Sequence, residues 1–428
     1  MASTIEDQLK AATTSLDLPG VLLVASDATN DFHYEKIFGV RSLKEGAAPE
    51  PMQKDDIFWI ASCTKLMTSI AALQCIERGL FTLDEDVTKL LPELKDIEIL
   101  TGFEKGTQTP ILAVATKTIT VRLLLTHASG LAYDAFTPIL RRWRKSRGEE
   151  THLSKGSLLH RCTTPLLFEP GEGFAYSTGH DWVGIMIERA TGITLGEFMR
   201  NNIWDPLGIT SMTFHPEQQP EIRSSMVDMS QRLGGENLFG TPANPMAKVV
   251  WSKDNVWAPN KDDSGGGGAF VSHGHCAFDR GRATDYIKIL RSITSASTSL
   301  LTPQSTTLLF TPQLSGTSLS SLTTLLRIRE LNDSMALSMP MGTKLNYSLG
   351  GMITLEDIPG RRRKGSMFWS GLPNVFWWAD REGGMCGVYT SQMMPTGDPR
   401  SLAMLAGFEK EMYRRAKEAG KAKGKERL

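Results

Sequence analysis

Hydrophobic residues lie in short extended runs near both ends of the chain. Residues 21–26 and 32–40 are two such runs, and the turn between them is rich in Asp and Asn, which predicts a β-hairpin. Near the other end, strands are predicted over residues 347–355, 366–370, 374–380 and 387–391. We therefore expect one antiparallel sheet that takes strands from both ends of the chain.

Between these runs, apolar residues recur at the three- and four-residue spacing of helices. Residues 62–78 are the clearest case, because Leu66, Ile70 and Leu73 fall near one face and Gly79 is a stop signal. Further helices are predicted within the first 20 residues and over residues 121–125, 182–190, 195–203 and 401–419. The basic residues 361–364 follow a Pro-Gly pair and predict an exposed turn, and the lysine-rich residues 420–428 are expected to fray.

This order of elements predicts an α+β fold (α/β with two lobes). The antiparallel sheet is flanked by helices, and a mostly helical lobe packs beside it. We expect one domain over residues 1–428. Its sheet lobe is formed by about residues 10–83 and 340–419, its helical lobe by about residues 84–339, and a basic tail by residues 420–428.

Bulk composition excludes several classes of function. Lys plus Arg and Asp plus Glu both number 47, so the formal net charge is zero and the basic footprint of a nucleic-acid-binding protein is missing. No apolar run approaches the ~20 residues of a membrane span, and the first 20 residues lack the apolar core of a signal peptide. The five cysteines are scattered and odd in number, so we expect a reducing, cytoplasmic location.

Ser62 and Lys65 form the first pair with the chemistry of a catalytic site. At positions i and i+3 of the predicted helix, their side chains share one face. A serine hydroxyl is a poor nucleophile unless a neighbour takes its proton, and the free N–H groups at a helix N-terminus favour developing negative charge. The pair therefore predicts a serine nucleophile with a lysine base. The alternative is a capping serine beside a surface lysine.

Two further segments could complete such a site. Tyr176 follows a Pro-Gly turn and precedes a predicted helix, and a tyrosine beside a lysine can shuttle a proton. The alternative role of this tyrosine is packing at a helix start. Trp369-Ser370-Gly371 ends a predicted strand, where glycine permits close backbone approach to a ligand. Backbone N–H groups there could form an oxyanion hole with the N–H of Ser62.

Taken in this order, the three motifs resemble those of the serine β-lactamase and penicillin-binding-protein superfamily. The chain is most similar to the class C-like (family VIII) esterase branch and to the fungal acyltransferases (transesterases) of the lovastatin-synthase type. Further matching segments are residues 72–80, 119–131, 206–209, 265–268 and 365–380. The resemblance covers about residues 10–415 and implies the β-lactamase/transpeptidase fold. No metal ion or cofactor is expected.

The resemblance also implies a role for individual residues. Ser62 would be the acylated nucleophile, Lys65 its general base, and Tyr176 the proton shuttle that also activates the acceptor. The backbone N–H groups of Ser62 and Leu372 would form the oxyanion hole. The implied reaction is a ping-pong cycle in which an acyl donor acylates Ser62 and water or an alcohol then takes the acyl group.

Two departures from the family pattern narrow the expected substrate. Lactamases and transpeptidases carry Lys-Thr-Gly where this chain has Trp369-Ser370-Gly371, and a tryptophan cannot replace the lysine charge that helps to hold a substrate carboxylate. Thr178 stands where the tyrosine motif of those enzymes ends in asparagine. We therefore expect Trp369, Ser370 and Gly371 to bind a hydrophobic, uncharged acyl donor.

These observations predict an esterase or transesterase that acts on a small hydrophobic ester or thioester in fungal secondary metabolism. The alternatives are a β-lactamase or D-amino-acid peptidase, and a non-catalytic binding protein of the same fold. The expected partners are a small-molecule acyl donor and an alcohol or water acceptor, with no nucleic acid and no membrane. An acidic acyl carrier protein could dock on the basic residues 141–145, but a solvated helix face is the simpler interpretation.

Two histidine-containing segments are weaker signals. His127 could pair with a serine as in a Ser-His triad, but the chain lacks the Gly-x-Ser-x-Gly elbow, and the resemblance implies a structural role. His273 and His275 could ligate a metal, but two ligands alone are weak evidence for a site, and a loop is the simpler interpretation.

Overall fold

The computed structural model describes residues 3–46, 50–151, 153, 156–234, 244–253, 261–272, 285–295 and 300–426, so His273 and His275 lie outside the described residues. The helices are, in chain order, α1 (Ile5–Thr14), α2 (Thr64–Glu77), α3 (Val121–Leu125), α4 (Pro138–Ser146), α5 (Leu158–Cys162), α6 (Gly179–Thr191), α7 (Leu195–Met199), α8 (Pro220–Ser224), α9 (Asp285–Thr294), α10 (Pro303–Leu309), α11 (Gly316–Leu325), α12 (Arg329–Met335) and α13 (Pro399–Glu426). The strands are β1 (Gly20–Asp27), β2 (His33–Gly39), β3 (Ile57–Trp59), β4 (Glu98–Phe103), β5 (Pro110–Val114), β6 (Ser230–Arg232), β7 (Val249–Trp251), β8 (Phe270–Ser272), β9 (Leu345–Tyr347), β10 (Met352–Thr354), β11 (Met367–Gly371), β12 (Val375–Asp380), β13 (Met385–Thr390) and β14 (Met393–Met394).

A seven-stranded antiparallel sheet is the framework of the molecule. Its strand order is β2-β1-β13-β12-β11-β10-β9. β1 pairs with β13, with Leu22 opposite Thr390, so segments from both ends of the chain are neighbouring strands within one sheet. All residues of β11, β12 and β13 are buried, and α1, α9 and α13 pack against the central strands. The predicted α+β architecture, with a sheet built from both termini, is confirmed.

The prediction of a single strand over residues 347–355 is wrong, because this segment turns back on itself. β9 and β10 pair as an antiparallel hairpin. The Ser348 N–H donates to the Gly351 carbonyl at 2.8 Å, and the Ser348 hydroxyl donates to the same oxygen at 3.0 Å. Gly350 lies so close to Met367 that a Cβ there would be 2.7 Å from the sulfur. Gly350-Gly351 is a turn signal in the sequence, which the prediction of one continuous strand does not take into account.

The basic residues 141–145 do not form a uniformly exposed face of α4. Arg144 is buried, and it donates to Asp134 and to Glu149 at 2.8 Å each. Arg141 and Lys145 are exposed. The segment therefore presents less free positive charge than its sequence suggests.

None of the described helices has both the length and the apolar character needed to cross a membrane.

Of two expectations about charged segments near the end of the chain, the first is wrong and the second is correct only in part, because the turn at residues 361–364 exposes Arg363 and Lys364 but not Arg362. α13 continues to Glu426, so residues 420–426 are helical rather than frayed. The exposed turn expected at residues 361–364 is partly buried. There Arg362 donates to Glu409 at 2.8 and 2.6 Å, and Arg361 donates to the same carboxylate at 2.6 Å. Arg362 and Glu409 are 1% and 0% exposed, so this cluster ties the turn to α13 inside the protein.

The Glu409 carboxyl carries a strongly altered pKa. Burial opposes its ionisation, but the attraction of Arg362 and Arg361 outweighs burial and lowers the pKa to about 2 from the ordinary 4.5. A lowered carboxyl pKa stabilises the fold above the ordinary value. That contribution is lost as the pH falls from about 4.5 towards 2.

Replacing Glu409 by alanine is expected to destabilise the protein by about 3–5 kcal/mol at neutral pH, because two guanidinium groups would lose their buried counter-charge. Chemical denaturation followed by fluorescence measures the change. Glu418→Ala is the matched control, since Glu418 is 61% exposed in its pair with Arg414 and should cost less than about 1 kcal/mol. Equal effects of the two variants would contradict a buried ion cluster.

Candidate active site

A strained turn between β3 and α2 presents Ser62. The Ile60 N–H donates to the Ala269 carbonyl at 3.1 Å, and Ala61 then adopts a left-handed φ of 44°. A 3-10 turn over Ala61–Cys63 leads into α2. The Thr64 hydroxyl donates to the Ala61 carbonyl at 2.6 Å and accepts from the Ala269 N–H at 3.1 Å. These bonds hold Ser62 at the start of a buried helix, where backbone N–H groups are unpaired.

The structure brings the side chains of Ser62, Lys65 and Tyr176 together. The Lys65 Nζ lies 3.1 Å from the Ser62 Oγ, and the Tyr176 hydroxyl donates to the same Oγ at 2.5 Å. Lys65 is 1% exposed, and its Nζ lies 4.7 Å from the centre of the Tyr176 ring. A serine hydroxyl and two groups able to move its proton therefore share one hydrogen-bonded cluster.

Two further contacts of Lys65 were not expected from the sequence. The Lys65 Nζ donates to the Gly266 carbonyl at 2.5 Å and to the Tyr133 hydroxyl at 3.1 Å. The Tyr133 hydroxyl in turn donates to the Asp181 carboxylate at 3.3 Å. Burial and the Asp181 charge raise the pKa of Tyr133 well above its ordinary value, so this phenol stays protonated.

The sequence gives only weak signals for Gly266 and Tyr133, and none for Asp181. Gly266 belongs to the glycine run at residues 265–268, and Tyr133 comes two positions after the matching segment 119–131. Asp181 lies on α6, five positions after Tyr176, and nothing in its own neighbourhood marks it.

The end of β11 approaches the Ser62 turn very closely. A Cβ on Gly371 would lie 2.2 Å from the Ile60 carbonyl oxygen, so only glycine fits there. Trp369, Ser370 and Leu372 line the cleft above Ser62, whereas Gly371 does not. The structure therefore places three of these four predicted residues at the cleft and gives Gly371 a backbone packing position.

The cleft above Ser62 has a volume of about 1060 Å³, including the part open to solvent. Its walls are largely aromatic and aliphatic, with side chains from Trp59, Tyr133, Phe136, Leu153, Tyr176, Phe214, Phe270, Met335, Trp369 and Leu372. The charged residues that line it are Arg161, Asp181, Glu217 and Asp262. Such a cleft favours a substrate with a sizeable apolar part.

His127 is fully buried and engaged away from Ser62. Its Nδ1 accepts from the Ser177 N–H at 3.1 Å and lies 2.9 Å from the Ser177 hydroxyl, and its Nε2 lies 3.2 Å from the Tyr347 hydroxyl. Burial, and then the nearby Lys65, lower its pKa well below the ordinary value. Both ring nitrogens of His127 therefore have partners other than Ser62.

Comparison with known proteins identifies the family of this chain. The Beta-lactamase family model matches residues 4–408. A lovastatin esterase of Penicillium rubens is 33% identical over 96% of this chain and 98% of its own length. A monacolin J acid methylbutanoyltransferase of Aspergillus terreus is 33% identical over 96% of this chain and 95% of its own.

The overall architecture is also similar to that of a solved relative. A variant of simvastatin synthase from Aspergillus terreus superposes with a TM-score of 0.84 at 33% identity, over 97% of this chain and 95% of the other. The expected β-lactamase/transpeptidase-like fold and the expected similarity to fungal acyltransferases are both confirmed. The chain belongs to the Beta-lactamase family.

Proposed function

We propose that Ser62 is the nucleophile of a serine acyl-transfer enzyme, with Lys65 as its base and Tyr176 as its proton shuttle. The observation that carries the proposal is the position of the Ser62 Oγ within hydrogen-bond distance of both the Lys65 Nζ and the Tyr176 hydroxyl. Family membership supports it, since the similar proteins are an esterase and acyltransferases. The protein is a serine hydrolase or acyltransferase of the Beta-lactamase family.

In the first half-reaction the Ser62 Oγ bonds to the carbonyl carbon of the acyl donor. The Ser62 proton passes to Lys65 and then through Tyr176 to the alcohol or thiol that leaves. In the second half-reaction the oxygen of an acceptor bonds to the acyl carbon. Its proton returns through Tyr176 to Lys65 and on to Ser62 as the Ser62–acyl bond breaks. Protons and bonds balance over the cycle.

The backbone N–H groups of Ser62 and Leu372 are the proposed oxyanion donors. Two observations support this assignment. Ser62 begins a helix, where N–H groups are free to bind negative charge, and β11 packs directly against the Ala61–Cys63 turn. Leu372 follows Gly371, whose close contact with Ile60 brings the backbone of this segment to the turn. Donors fixed in advance stabilise the charge that develops on the carbonyl oxygen.

The substrate is proposed to be a hydrophobic, uncharged acyl ester or thioester bound against Trp369 and Ser370. Trp369 is 3% exposed, and its ring centre lies 5.4 Å from that of Tyr176, so it forms an aromatic wall beside the reacting groups. By analogy with the methylbutanoyltransferase relative, a short branched acyl group is the first candidate. An alcohol from fungal secondary metabolism, or water, would accept it.

We further propose that residues 1–428 form a single catalytic domain located in the cytoplasm. One hydrophobic cluster runs from Ile5 to Met412 and includes residues of both proposed lobes. The described cysteines are all free and buried, which suits a reducing compartment. An acyl carrier protein is a further candidate donor, for which Arg141, Arg142 and Lys145 are the exposed cations of α4.

Replacing Ser62 by alanine is expected to abolish acyl-enzyme formation and to lower ester hydrolysis about 10³-fold or more, because the nucleophile is lost. Intact-protein mass spectrometry with p-nitrophenyl 2-methylbutanoate detects the adduct, and peptide mapping places it. Ser224→Ala, at an exposed serine, is the matched control and should acylate normally. Full activity of the Ser62→Ala protein would exclude Ser62 as nucleophile.

Replacing Tyr176 by phenylalanine should slow reaction with an alkyl ester about 10²–10³-fold, because the leaving alkoxide needs a proton. The acylation burst with a p-nitrophenyl ester should fall less than about 10-fold, since p-nitrophenolate leaves without one. Stopped-flow kinetics measures both rates. Tyr34→Phe, at a tyrosine buried elsewhere, controls for loss of a hydroxyl. Equal losses for both leaving groups would contradict a proton shuttle at Tyr176.

A chromogenic cephalosporin is expected to react with a kcat/KM at least about 10²-fold below that of the best ester, since Trp369 offers no charge to its carboxylate. Spectrophotometric assays of both substrates on one preparation give the ratio, and a known β-lactamase controls for the quality of the cephalosporin. A ratio near one would support the β-lactamase alternative.

A further inference from the structure

The Lys65 amine has a fixed set of hydrogen-bond partners. Its Nζ contacts the Gly266 carbonyl, the Tyr133 hydroxyl and the Ser62 hydroxyl at 2.5, 3.1 and 3.1 Å. To act as the base of the proposed reaction Lys65 must be a neutral amine, which has two N–H donors and one lone pair. The direction of each hydrogen bond therefore decides whether the lone pair faces Ser62.

Two of these directions follow from the chemistry of the partners. A carbonyl oxygen only accepts, so Gly266 takes one N–H of Lys65. The Tyr133 O–H is committed to the Asp181 carboxylate, which also only accepts, at 3.3 Å. Tyr133 must then accept the second N–H of Lys65. The lone pair is left for the Ser62 hydroxyl, which is the direction that a general base requires.

The Asp181 carboxylate is itself held in place on its other side. Its Oδ1 accepts from the Gly266 N–H at 3.0 Å and from the Ser264 hydroxyl at 2.5 Å, and the residue is 2% exposed. A Cβ on Gly266 would lie 2.3 Å from the Asp181 Oδ2 and 2.7 Å from the Tyr133 hydroxyl. The site thus uses glycine at position 266 to bring the backbone, the phenol and the carboxylate into contact.

We propose that Asp181 is a positioning residue that acts through Tyr133 to direct the lone pair of Lys65 at Ser62. This inference rests on the proposed function, because it concerns the same acylation step. Asp181 need not touch the substrate for this role. When Lys65 takes the Ser62 proton, the Tyr133 O–H keeps its bond to Asp181, and the new N–H of Lys65 points back at the Ser62 oxygen.

The variant Asp181→Asn tests the direction of these bonds with little change of shape. The Gly266 N–H can only donate, so the amide oxygen must face it and the amide NH₂ must face Tyr133. The NH₂ donates to the Tyr133 oxygen, and the Tyr133 O–H then turns to the Lys65 lone pair. The base is blocked, and we expect acylation of Ser62 to slow about 10²-fold or more.

The double variant Tyr133→Phe/Asp181→Asn distinguishes this proposal from simple damage. Tyr133→Phe alone removes one acceptor but leaves the lone pair free, so we expect a loss of about 10-fold or less. In the double variant no hydroxyl can turn to Lys65. Its acylation rate should therefore be about 10-fold higher than that of Asp181→Asn. If each substitution slowed acylation only by disturbing the structure, the double variant would be slower than Asp181→Asn.

Rapid-quench mass spectrometry of the Ser62 adduct with p-nitrophenyl 2-methylbutanoate, over a range of pH, gives the four acylation rates. Asp285→Asn, at a buried carboxylate that does not line the cleft, is the control for a carboxylate-to-amide change and should stay within about twofold of wild type. Thermal unfolding verifies that each variant is folded.

Different experimental results would disprove this inference and the proposed function. If the wild-type protein forms no adduct that depends on Ser62, the proposed function fails. If wild type forms the adduct but Asp181→Asn forms it equally fast, or the double variant is slower than Asp181→Asn, the positioning role of Asp181 is overturned. Rescue by the second substitution supports it.

Discussion

The buried amine of Lys65 is the group on which the arrangement of the site depends. It is 1% exposed, so its hydrogen bonds must come from the protein rather than from water. Three of its partners, Ser62, Tyr133 and Gly266, lie on separate segments of the chain. The helix that carries Lys65, the loop that carries Tyr133 and the glycine-rich segment must therefore keep their relative positions to within a few tenths of an ångström.

Close backbone contacts at two glycines provide that rigidity. Gly371 lets the end of β11 touch the Ile60 carbonyl, one turn before α2 begins, and Gly266 lets its segment touch Asp181. A third contact joins β3 to the glycine-rich segment, because the indole Nε1–H of Trp59 donates to the Gly267 carbonyl at 2.8 Å. Side chains at either glycine would push apart the elements that meet at Ser62, because interiors packed to this density have little room to adjust.

The buried charges of Arg144, Arg362 and Glu409 are paired within the protein and do not line the cleft. Glu409 pairs with the guanidinium groups of both Arg361 and Arg362. Arg144 pairs with the carboxylates of Asp134 and Glu149. At the end of β11, where related lactamases have a lysine, Trp369 packs on the ring of Tyr176. The wall beside the nucleophile is therefore aromatic. Such a wall offers a substrate shape and apolar contact rather than charge.

The sequence alone determined the features that depend on neighbouring residues. Short runs of hydrophobic residues predicted most strands of the sheet, and the i, i+3 spacing of Ser62 and Lys65 placed them on one helix face. Tyr176 and residues 369–371 could be related to that pair only through the order of three motifs resembling one superfamily, because more than 100 residues separate them from Ser62. Both the family and the fold were predicted in this way.

Only the tertiary structure decided which side chains meet. The contact of Tyr133 with Lys65 spans 68 positions of the chain, and that of Gly266 spans 201. The burial of Arg362 was likewise hidden, since it depends on Glu409 from a distant helix, whereas Gly350-Gly351 does mark the hairpin within residues 347–355. Periodicity reports the local backbone and its average burial. A hydrogen-bond partner is chosen by the packing of segments far apart in the chain, which no local pattern records.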